Sequence, residues 1–187
     1  MEVDAIRSEE DISEIKEFLR QKGAGYKLLF IMGINSALRI GDLLALSVGD
    51  VVDEKGKIAI EVTLKEEKTG KIHRFPVNKS LRKALVEYFA VQGRRARDEP
   101  LFISRKKGVL SRQHAWRVLK EAGESAGLNN IGTHSLRKTF GYHAYKKTGA
   151  DIGLVQKMLN HSASKITLRY IGIDRERMDN AFLGLNL

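Results

Sequence analysis

Four residues in the C-terminal part of the chain have side chains suited to chemistry on a phosphate ester. His134 and Arg137 lie three apart in a segment that predicts a helix, so their side chains point the same way. His161 follows the end of the next predicted helix, and Tyr170 lies nine residues further on. A phenol can act as a covalent nucleophile, and the planar fork of a guanidinium matches phosphate oxygens. The set predicts a candidate site in which a phenol attacks a phosphate.

Each of these residues also has an ordinary structural interpretation. A histidine three residues before an arginine is common on helix surfaces, and His161 could stabilise a helix C-terminus. Tyr170 could be a half-buried core aromatic whose hydroxyl reaches water. What distinguishes the segment is the order and spacing of the whole set.

Capping signals predict the elements that hold these residues. Gly149 predicts the end of the first helix, and Asp151 predicts the N-cap of the next one. An apolar stripe on that next helix predicts that it is anchored in the core. The stripe consists of Ile152, Val155 and Leu159. Consecutive packed elements would thus bring the four side chains together.

A second arginine stands in the segment ALRIGDLLAL, where Arg39 lies just before a short predicted helix. The leucines of this segment predict that the helix is packed against the core. Asp42 follows three residues later, so the two charged residues could also form a simple ion pair at the helix end, which is worth little.

The middle of the chain predicts a β-hairpin. Residues 58–64 and 72–77 alternate apolar and polar side chains as IAIEVTL and IHRFPV. The segment KEEKTGK between them predicts a turn with Thr69 and Gly70 at or near its tip. Pro76 favours an edge position or a strand end. An ordinary lysine-rich turn is the alternative interpretation of this segment.

Most of the remaining chain predicts helices. Ser8 begins a helix-start signature, and a glycine-rich break at residues 23–25 separates the first helix from the second. We therefore predict a fold that is mainly α with a small antiparallel β-sheet (α+β) and about seven helices. The other predicted helices cover residues 26–37, 80–91 and 111–126, and a last one starts at Asp174.

The composition is that of a globular protein with a positive charge. Of its 187 residues, 42% are apolar and 30% are charged, and the formal net charge is +10. The first 18 residues carry a net −5, so the remainder carries +15. A surface of that sign attracts a nucleic acid or an anionic membrane, although it could also be merely solvated. Basic residues are densest at Arg94, Arg95, Arg97, Arg105, Lys106, Lys107, Arg112, Arg117 and Lys120.

Residue content also excludes several classes of protein. The chain has no cysteine, which excludes disulfides, zinc–cysteine sites and thiol nucleophiles. The N-terminal segment MEVDAIRSEED is acidic and lacks the apolar run of a signal peptide. The longest apolar run, residues 28–34, is too short to span a bilayer. We expect no membrane partner and a cytoplasmic protein, associated with the nucleoid.

The segments HSLR, LNH and TLRYI, in that order, resemble the C-terminal half of the catalytic domain of the tyrosine recombinases (phage integrase family). ALRIGDLLAL resembles that family's first arginine motif, and the KTG hairpin resembles its lysine-bearing hairpin. The resemblance covers about residues 12–173 and implies catalytic roles for Arg39, Lys68, His134, Arg137, His161 and Tyr170. Asp42 would support them, although the family more often has glutamate there. The sequence does not fix the hairpin register, so Lys65 and Lys71 stay open as alternatives to Lys68.

The resemblance implies a reaction on duplex DNA. Tyr170 would attack the scissile phosphate to give a 3′-phosphotyrosyl link and a free 5′-hydroxyl. The arginines would bind phosphate oxygens, His134 would relay a proton, and Lys68 would protonate the leaving oxygen. His161 would hydrogen-bond the phosphate. Rejoining would need no ATP, and no metal or other cofactor is expected. A type IB topoisomerase, a catalytically silent DNA-binding regulator and a generic basic helical module are the alternatives.

The resemblance also implies partners and boundaries. The expected partners are double-stranded DNA, further copies of the chain in a tetramer on paired sites, and an accessory protein. Residues 1–187 should form a single catalytic domain, whose helix at 174–187 packs on its own domain or on a neighbour. The family's usual N-terminal DNA-clamping domain has no counterpart, so the chain is a fragment or a short form. DNA contact is expected at Arg112, Trp116, Arg117 and Lys120, although Trp116 could instead be a packing residue.

Overall fold

The structure is a computed structural model that describes residues 3–93, 95–104 and 108–185. Within these ranges the chain forms ten α-helices and one two-stranded antiparallel sheet, which confirms the predicted fold class. About seven helices were predicted, because the shortest ones have too few residues to show a helical period. In the same ranges, no helix is both long and apolar enough to cross a membrane. The elements are α1 Glu9–Lys22, α2 Ala24–Ser36, α3 Ile40–Leu44, α4 Val48–Val51, β1 Glu61–Lys65, β2 Ile72–Pro76, α5 Lys79–Gln92, α6 Arg112–Ser125, α7 Thr133–Lys147, α8 Ile152–Met158, α9 Ser164–Ile171 and α10 Ile173–Gly184.

Helix α2 is the centre of the fold because it is apolar on most of its faces. Residues 28–33 are all buried, and α1, α5 and α7 pack around this helix. The predicted cap of α1 is confirmed, since the Ser8 hydroxyl accepts hydrogen bonds from the amides two and three residues further on. The break between α1 and α2 is shorter than predicted. Only Gly23 separates them, at φ 143°, and Gly25 is already helical.

The sheet consists of β1 and β2, paired so that Lys65 lies opposite Ile72. Strand β1 begins three residues later than the sequence predicts. The backbone of residues 58–59 bonds elsewhere: Arg82 donates to both carbonyl oxygens, and the amide of Ala59 donates to the carbonyl of Val51 at 2.9 Å. Residues 66–71 connect the strands and carry the KTG segment. The predicted hairpin is therefore confirmed, with a shorter first strand.

Helices α7, α8 and α9 enclose a second, smaller core that includes Tyr145, Val155, Leu159 and Ile171. Gly141 lets α9 approach α7 closely, because a methyl group at this position would lie 2.6 Å from Cγ2 of Ile171. This small core holds α9 against α7, and α9 is the helix that carries the candidate nucleophile.

The capping residues predicted near the candidate site are confirmed. Helix α7 ends just before Gly149, whose φ is 66°. The Asp151 side chain accepts from the amide of Leu154 at 3.0 Å and so starts α8. The Ser111 hydroxyl accepts from the amide of His114 at 3.2 Å and starts α6. These caps set the bounds of the helices that flank the site.

Candidate active site

Arg39 lies at the N-cap of α3, just before the short helix, as predicted. Leu43 and Leu44 are buried and anchor that helix in the core. The Arg39 side chain is 22% exposed, and its Nη1 donates to Oε2 of Glu66 at 2.7 Å. The guanidinium is thus held at one end while part of it faces solvent, where an anion could reach it.

Arg137 is buried in the middle of α7, and its guanidinium joins two loops. It donates to the backbone carbonyls of Ala37 and Leu159. Ala37 precedes Arg39 in the chain by two residues, and Leu159 precedes His161 by two. Burial, followed by the nearby charge of Arg39, lowers the pKa of Arg137 from its ordinary value. One buried side chain therefore fixes the distance between the first arginine and the second histidine.

Glu66 lies at the centre of the site, although it belongs to none of the motifs in the sequence. Its side chain is fully buried next to both arginines. Burial alone would raise the pKa of Glu66, but hydrogen bonds from Thr69, Asn160 and Arg39 lower it to about 2. The carboxylate is therefore ionised at neutral pH. Its neighbours are Thr69 Oγ1 at 2.5 Å, Arg39 Nη1 at 2.7 Å, Asn160 Nδ2 at 3.2 Å, His73 Nδ1 at 3.3 Å and Arg137 Nη1 at 3.9 Å.

One signal in the sequence could have identified Glu66. Side chains two apart in a strand lie on the same face, so Val62, Leu64 and Glu66 share one face of β1 and its continuation. The first of these is buried and the second partly buried. A carboxylate that continues an apolar face into a lysine-rich turn is expected to be buried with cationic partners.

His134 and Lys68 lie at the open edge of the site, and both residues are exposed. His134 is in the first turn of α7. Partial burial and the charges of nearby cations, Arg137 first and Lys68 among them, lower the pKa of His134 from 6.5. The imidazole is therefore neutral at pH 7 and able to accept a proton. Because the Lys68 charge contributes to this shift, its ammonium group is within electrostatic reach of His134.

The hairpin places the three candidate lysines differently. Lys65 is the last residue of β1, and Lys68 lies in the turn itself. Lys71 Nζ donates to the backbone carbonyl of Asn160 at 3.4 Å, beside the histidine at position 161. The structure thus brings Lys68 near His134 and Lys71 near the other histidine, and both stay candidates for the proton donor.

His161 and Tyr170 pack against each other. Their ring centroids are 5.1 Å apart and the ring planes meet at 84°, an edge-to-face contact. Nδ1 of His161 lies 3.1 Å from Oγ1 of the buried Thr167. Burial, Arg137 and Arg39 lower the pKa of His161 to about 4, so this imidazole is also neutral at pH 7. As predicted, His161 follows the end of α8.

Two buried polar atoms at the site have no hydrogen-bond partner among the described residues: the Tyr170 hydroxyl and Oδ2 of Asp42. Burial raises the pKa of Tyr170, and the nearby Arg137, whose contact falls short of good hydrogen-bond geometry, opposes that rise. Oδ1 of Asp42 accepts from the amide of Glu67 at 2.8 Å, which ties α3 to the hairpin turn. The unpartnered phenol points to a group that is poised for a partner from outside the chain.

The basic face of α6 adjoins this site. Arg112 Nη2 donates to Glu67 Oε2 at 3.1 Å, next to the hairpin turn. Trp116 is 46% exposed and its indole edge lies near Gly132, so it is partly packed, and its contact with DNA stays a prediction. Lys120 Nζ lies 5.6 Å from the centre of the indole ring, and Arg117 Nη2 lies 3.1 Å from a ring nitrogen of His114. Four other basic residues of this region, Arg94, Arg105, Lys106 and Lys107, lie outside the described residues.

The structure thus holds Arg39 and Arg137 on Glu66. The charge of Arg137 acts on His134, His161 and Tyr170, and that of Lys68 acts on His134. Across the described ranges, no group of three or more His, Cys, Asp or Glu side chains is arranged to hold a metal ion. A mainly helical domain with a small hairpin and this set of side chains defines the class of the tyrosine recombinases.

Comparison with known proteins identifies the family. The phage integrase family matches residues 7–177, and the chain belongs to that family. It is 44% identical to "Probable integrase/recombinase YoeC" of Bacillus subtilis over 181 residues, which cover 96% of this chain and 95% of that protein. It is 31% identical to "Tyrosine recombinase XerC" of Roseiflexus castenholzii over 170 residues, which cover 88% of this chain but 51% of that protein. The chain therefore spans nearly all of one relative and about half of the other.

A solved structure supports the same fold. The XerH site-specific recombinase bound to palindromic difH substrate, in a post-cleavage complex, superposes with a TM-score of 0.71 at 20% identity. The match covers 96% of this chain and 53% of that one. The arrangement of helices and hairpin is thus that of a tyrosine recombinase catalytic domain.

Proposed function

We propose that this protein cuts and rejoins double-stranded DNA at specific sites through a 3′-phosphotyrosyl intermediate, without a metal or ATP. The observation that carries the proposal is the position of the Tyr170 hydroxyl. It is buried and unpartnered, its ring contacts His161, and it lies within the electrostatic reach of Arg39 and Arg137. A phenol within the electrostatic reach of two guanidiniums suits attack on an anionic phosphodiester.

The arginines supply the positive charge that such an attack needs. A phosphodiester is anionic, so an approaching phenolate is repelled unless that charge is neutralised. Arg39 and Arg137 would bind the non-bridging oxygens and stabilise the extra charge of the transition state. Both guanidiniums are already fixed by bonds to the protein. Little reorganisation is then needed when the phosphate arrives.

The remaining side chains would move the protons. Burial raises the pKa of the Tyr170 hydroxyl, so its proton must leave during the attack, and neutral His134 would accept or relay it. The new bond joins the phenol oxygen to phosphorus, and the bond from phosphorus to the 5′ oxygen breaks. Lys68 would donate a proton to that leaving oxygen. A 5′-hydroxyl of a second DNA end can then attack the phosphotyrosyl link in the reverse reaction, which conserves the bond energy.

The Tyr170 hydroxyl has no exposed surface in this structure, so a phosphate can reach it only after a local movement. Helix α9 is the element to move, because it is eight residues long and is followed by Gly172 at φ 76°. DNA binding would shift α9 slightly and bring the buried Tyr170 hydroxyl to the phosphorus atom.

The proposed DNA surface consists of the site and the basic face of α6, with Arg112, Trp116, Arg117 and Lys120. Arg112 lies next to the hairpin turn, and the indole edge of Trp116 lies against the N-terminus of α7. Both elements carry proposed catalytic residues. A duplex on this face would therefore place a phosphate at the site. Such a protein would work in the cytoplasm, at the nucleoid, where an accessory protein could direct it.

We further propose that the chain acts as one catalytic domain in a tetramer on paired DNA sites. The first half of α10 packs on its own domain, where Ile173 is buried and Arg177 donates to the Tyr145 hydroxyl at 2.6 Å. The second half exposes Phe182 and Leu183, at 75% and 77%. That exposed apolar end supports docking on a neighbouring copy.

The test is covalent trapping on DNA. A set of duplexes from the DNA that flanks the gene, each nicked near a different phosphate, would be incubated with the protein and run on a denaturing gel. The protein should form an adduct on one or a few of them, because the nick lets the cut strand diffuse away. Tyr170→Phe keeps the ring and its contact with His161 but removes the attacking oxygen, so the adduct should vanish while DNA binding persists.

The outcomes separate the alternatives. An adduct that Tyr170→Phe still forms would mean that another residue is the nucleophile. Binding without any adduct would favour a catalytically silent DNA-binding regulator. Relaxation of supercoiled DNA without strand exchange between two sites would favour a topoisomerase.

A further inference from the structure

We propose that Glu66 is a positioning residue of the cleavage reaction, which holds the two arginines, the lysine turn and the His161 loop in the arrangement in which they act. The inference rests on the proposed function and goes beyond it, since Glu66 is not a group that touches DNA. It is the place where four separate segments of the chain meet on one carboxylate.

The first contacts are to the phosphate-binding arginines. Oε2 of Glu66 accepts from Arg39 Nη1 at 2.7 Å, and Oε1 lies 3.9 Å from Arg137 Nη1. Arginine side chains have many rotamers, and a fixed partner removes this freedom before the substrate binds. Glu66 is fully buried whereas Arg39 is 22% exposed, so the carboxylate holds the guanidinium from behind and leaves its outer side for a phosphate.

A second contact fixes the turn of the hairpin. The Thr69 hydroxyl donates to Oε2 of Glu66 at 2.5 Å, and the amide of Gly70 donates to the Glu66 backbone carbonyl at 2.9 Å. Thr69 directly follows Lys68, whose own side chain is exposed. The position of the lysine backbone is therefore set from the buried side of the turn, by Glu66.

A third contact fixes the loop before α9. Asn160 Nδ2 donates to Oε1 of Glu66 at 3.2 Å, and the backbone of Asn160 is left-handed at φ 48°. Few residues other than glycine adopt that conformation without support, and asparagine tolerates it best. Asn160 directly precedes His161, so the bond to Glu66 helps to hold the histidine loop.

A further neighbour of the Glu66 carboxylate is His73. Its Nδ1 lies 3.3 Å from Oε1 of Glu66, and its Nε2 lies 2.8 Å from the backbone carbonyl of Ser36. His73 thus links the carboxylate to the C-terminus of α2, the central helix. An anionic side chain is retained in such a buried place only when it has several partners, and the number of partners here fits a fixed point rather than a simple ion pair.

The test uses Glu66→Gln, which keeps the size of the side chain but removes its charge and one acceptor. Single-turnover cleavage should slow about ten- to hundredfold, the equivalent of one lost charged hydrogen bond. DNA affinity should stay equal or become tighter, because a negative charge beside two arginines has been removed. A purely structural role would weaken cleavage and binding together, so slower cleavage without weaker binding identifies a positioning role.

A matched control is available on the same hairpin. Glu61 also pairs with an arginine, Arg74, but the two side chains are 43% and 68% exposed. Glu61→Gln therefore removes the same charge and also an ion pair with an arginine, but at the solvent-exposed surface. Because exposed ion pairs contribute little, the cleavage rate and the DNA affinity should both stay within about twofold of wild type.

A second variant covers the case in which Glu66→Gln fails to fold. Thr69→Val removes only the hydroxyl that joins the turn to Glu66, and Thr69 itself is exposed. Its cleavage should also be slowed, and a substrate with a 5′ thiol leaving group should restore part of the rate, because a displaced Lys68 then matters less.

The proposal is overturned if Glu66→Gln cleaves at the wild-type rate, or if it loses cleavage and DNA affinity in parallel. It is also overturned if Glu66→Gln does not fold and Thr69→Val cleaves at the wild-type rate. If the wild-type protein itself forms no adduct, the proposed function fails and this inference fails with it. If the wild type forms the adduct and the variants cleave equally well, only the role of Glu66 fails.

Discussion

Replacing Gly141 with alanine is predicted to slow DNA cleavage far more than it destabilises the fold. The new methyl group would lie 2.6 Å from Cγ2 of Ile171 and 3.1 Å from Cδ1 of Leu159. Apolar carbons prefer about 3.5–4 Å, so α9 must move away from α7 by roughly 1 Å. Tyr170 is the residue next to Ile171, and the nucleophile moves with it.

The overpacking and the gain in helix propensity partly cancel in the free energy of unfolding. The displacement of Tyr170 has no such compensation in the rate of cleavage. Overpacking of a core costs about 1–3 kcal/mol, and alanine in place of glycine inside a helix regains about 1 kcal/mol. The net loss of unfolding free energy is thus about 0–2 kcal/mol, measurable by urea denaturation. The packing of α9 on α7 also sets where Tyr170 arrives when α9 shifts on DNA, and a displacement of about 1 Å from the productive position can cost about a hundredfold in rate. The assay is the rate of adduct formation on the nicked duplex.

A matched control lies far from the site. A methyl group at Gly49, in α4, would lie 2.9 Å from the backbone carbonyl of Arg97, a similar clash with no proposed catalytic residue beside it. Gly49→Ala should lose stability and keep its cleavage rate. In addition, Ile171→Ala should restore part of the cleavage rate to Gly141→Ala, because it removes the atom that clashes. Cleavage by Gly141→Ala within about twofold of wild type would refute the argument that this contact positions the nucleophile.

Three further predictions concern the lysines, acid and salt. Lys68→Ala should regain cleavage on a substrate with a 5′ thiol leaving group, since a thiolate needs little protonation, whereas Lys71→Ala should not. Rescue of Lys71→Ala alone would identify Lys71 as the general acid. The free energy of unfolding should fall as the pH drops from about 6.5 to about 2. The pKa of His161 is about 4 in the folded protein against 6.5 in the unfolded chain, and that of Glu66 is about 2 against 4.5. In both cases the unfolded chain binds a proton at a higher pH than the folded protein does, so acid favours unfolding. Urea titrations that give the same free energy of unfolding at pH 7 and pH 3 would contradict this. DNA affinity should fall steeply with salt, because residues 19–187 carry +15, and an affinity equal at two salt concentrations would contradict an electrostatic origin.

Much of the fold and of the candidate site could be predicted because the signals are local. Ser8, Ser111 and Asp151 cap helices through their own side chains, and caps depend on only a few neighbouring residues. The arginine, histidine and tyrosine motifs can likewise be recognised in the sequence, because each one lies on a single helix or at the end of one. The placement of Arg39 at the N-cap of α3 follows from this.

What could not be predicted depends on distant partners. Strand β1 starts late because residues 58–59 bond to the side chain of Arg82, more than twenty residues away, and to the backbone of Val51. Glu66 lies in a segment that predicts a lysine-rich turn, and its partners lie between 3 and 94 residues away in sequence. The alternation with Val62 and Leu64 indicates that this carboxylate can face the core, but only the tertiary contacts identify the groups that hold it there.

The charges at the site explain why it contains buried carboxylates at all. Arg39 and Arg137 are matched in the resting protein by Glu66 and by Asp42, whose charge also acts on Arg137. Without these acids, two guanidiniums close together in a buried site would repel each other and lower the stability of the fold. The acids weaken the attraction for a phosphate, but they fix the arginines before it arrives, and a preorganised cation stabilises a transition state without first rearranging. The extra positive charge that binds DNA can then lie at the edge of the site, on the exposed Lys68 and the basic face of α6. Exposed ion pairs there, such as the one between Arg112 and Glu67, are easily exchanged for contacts with phosphates.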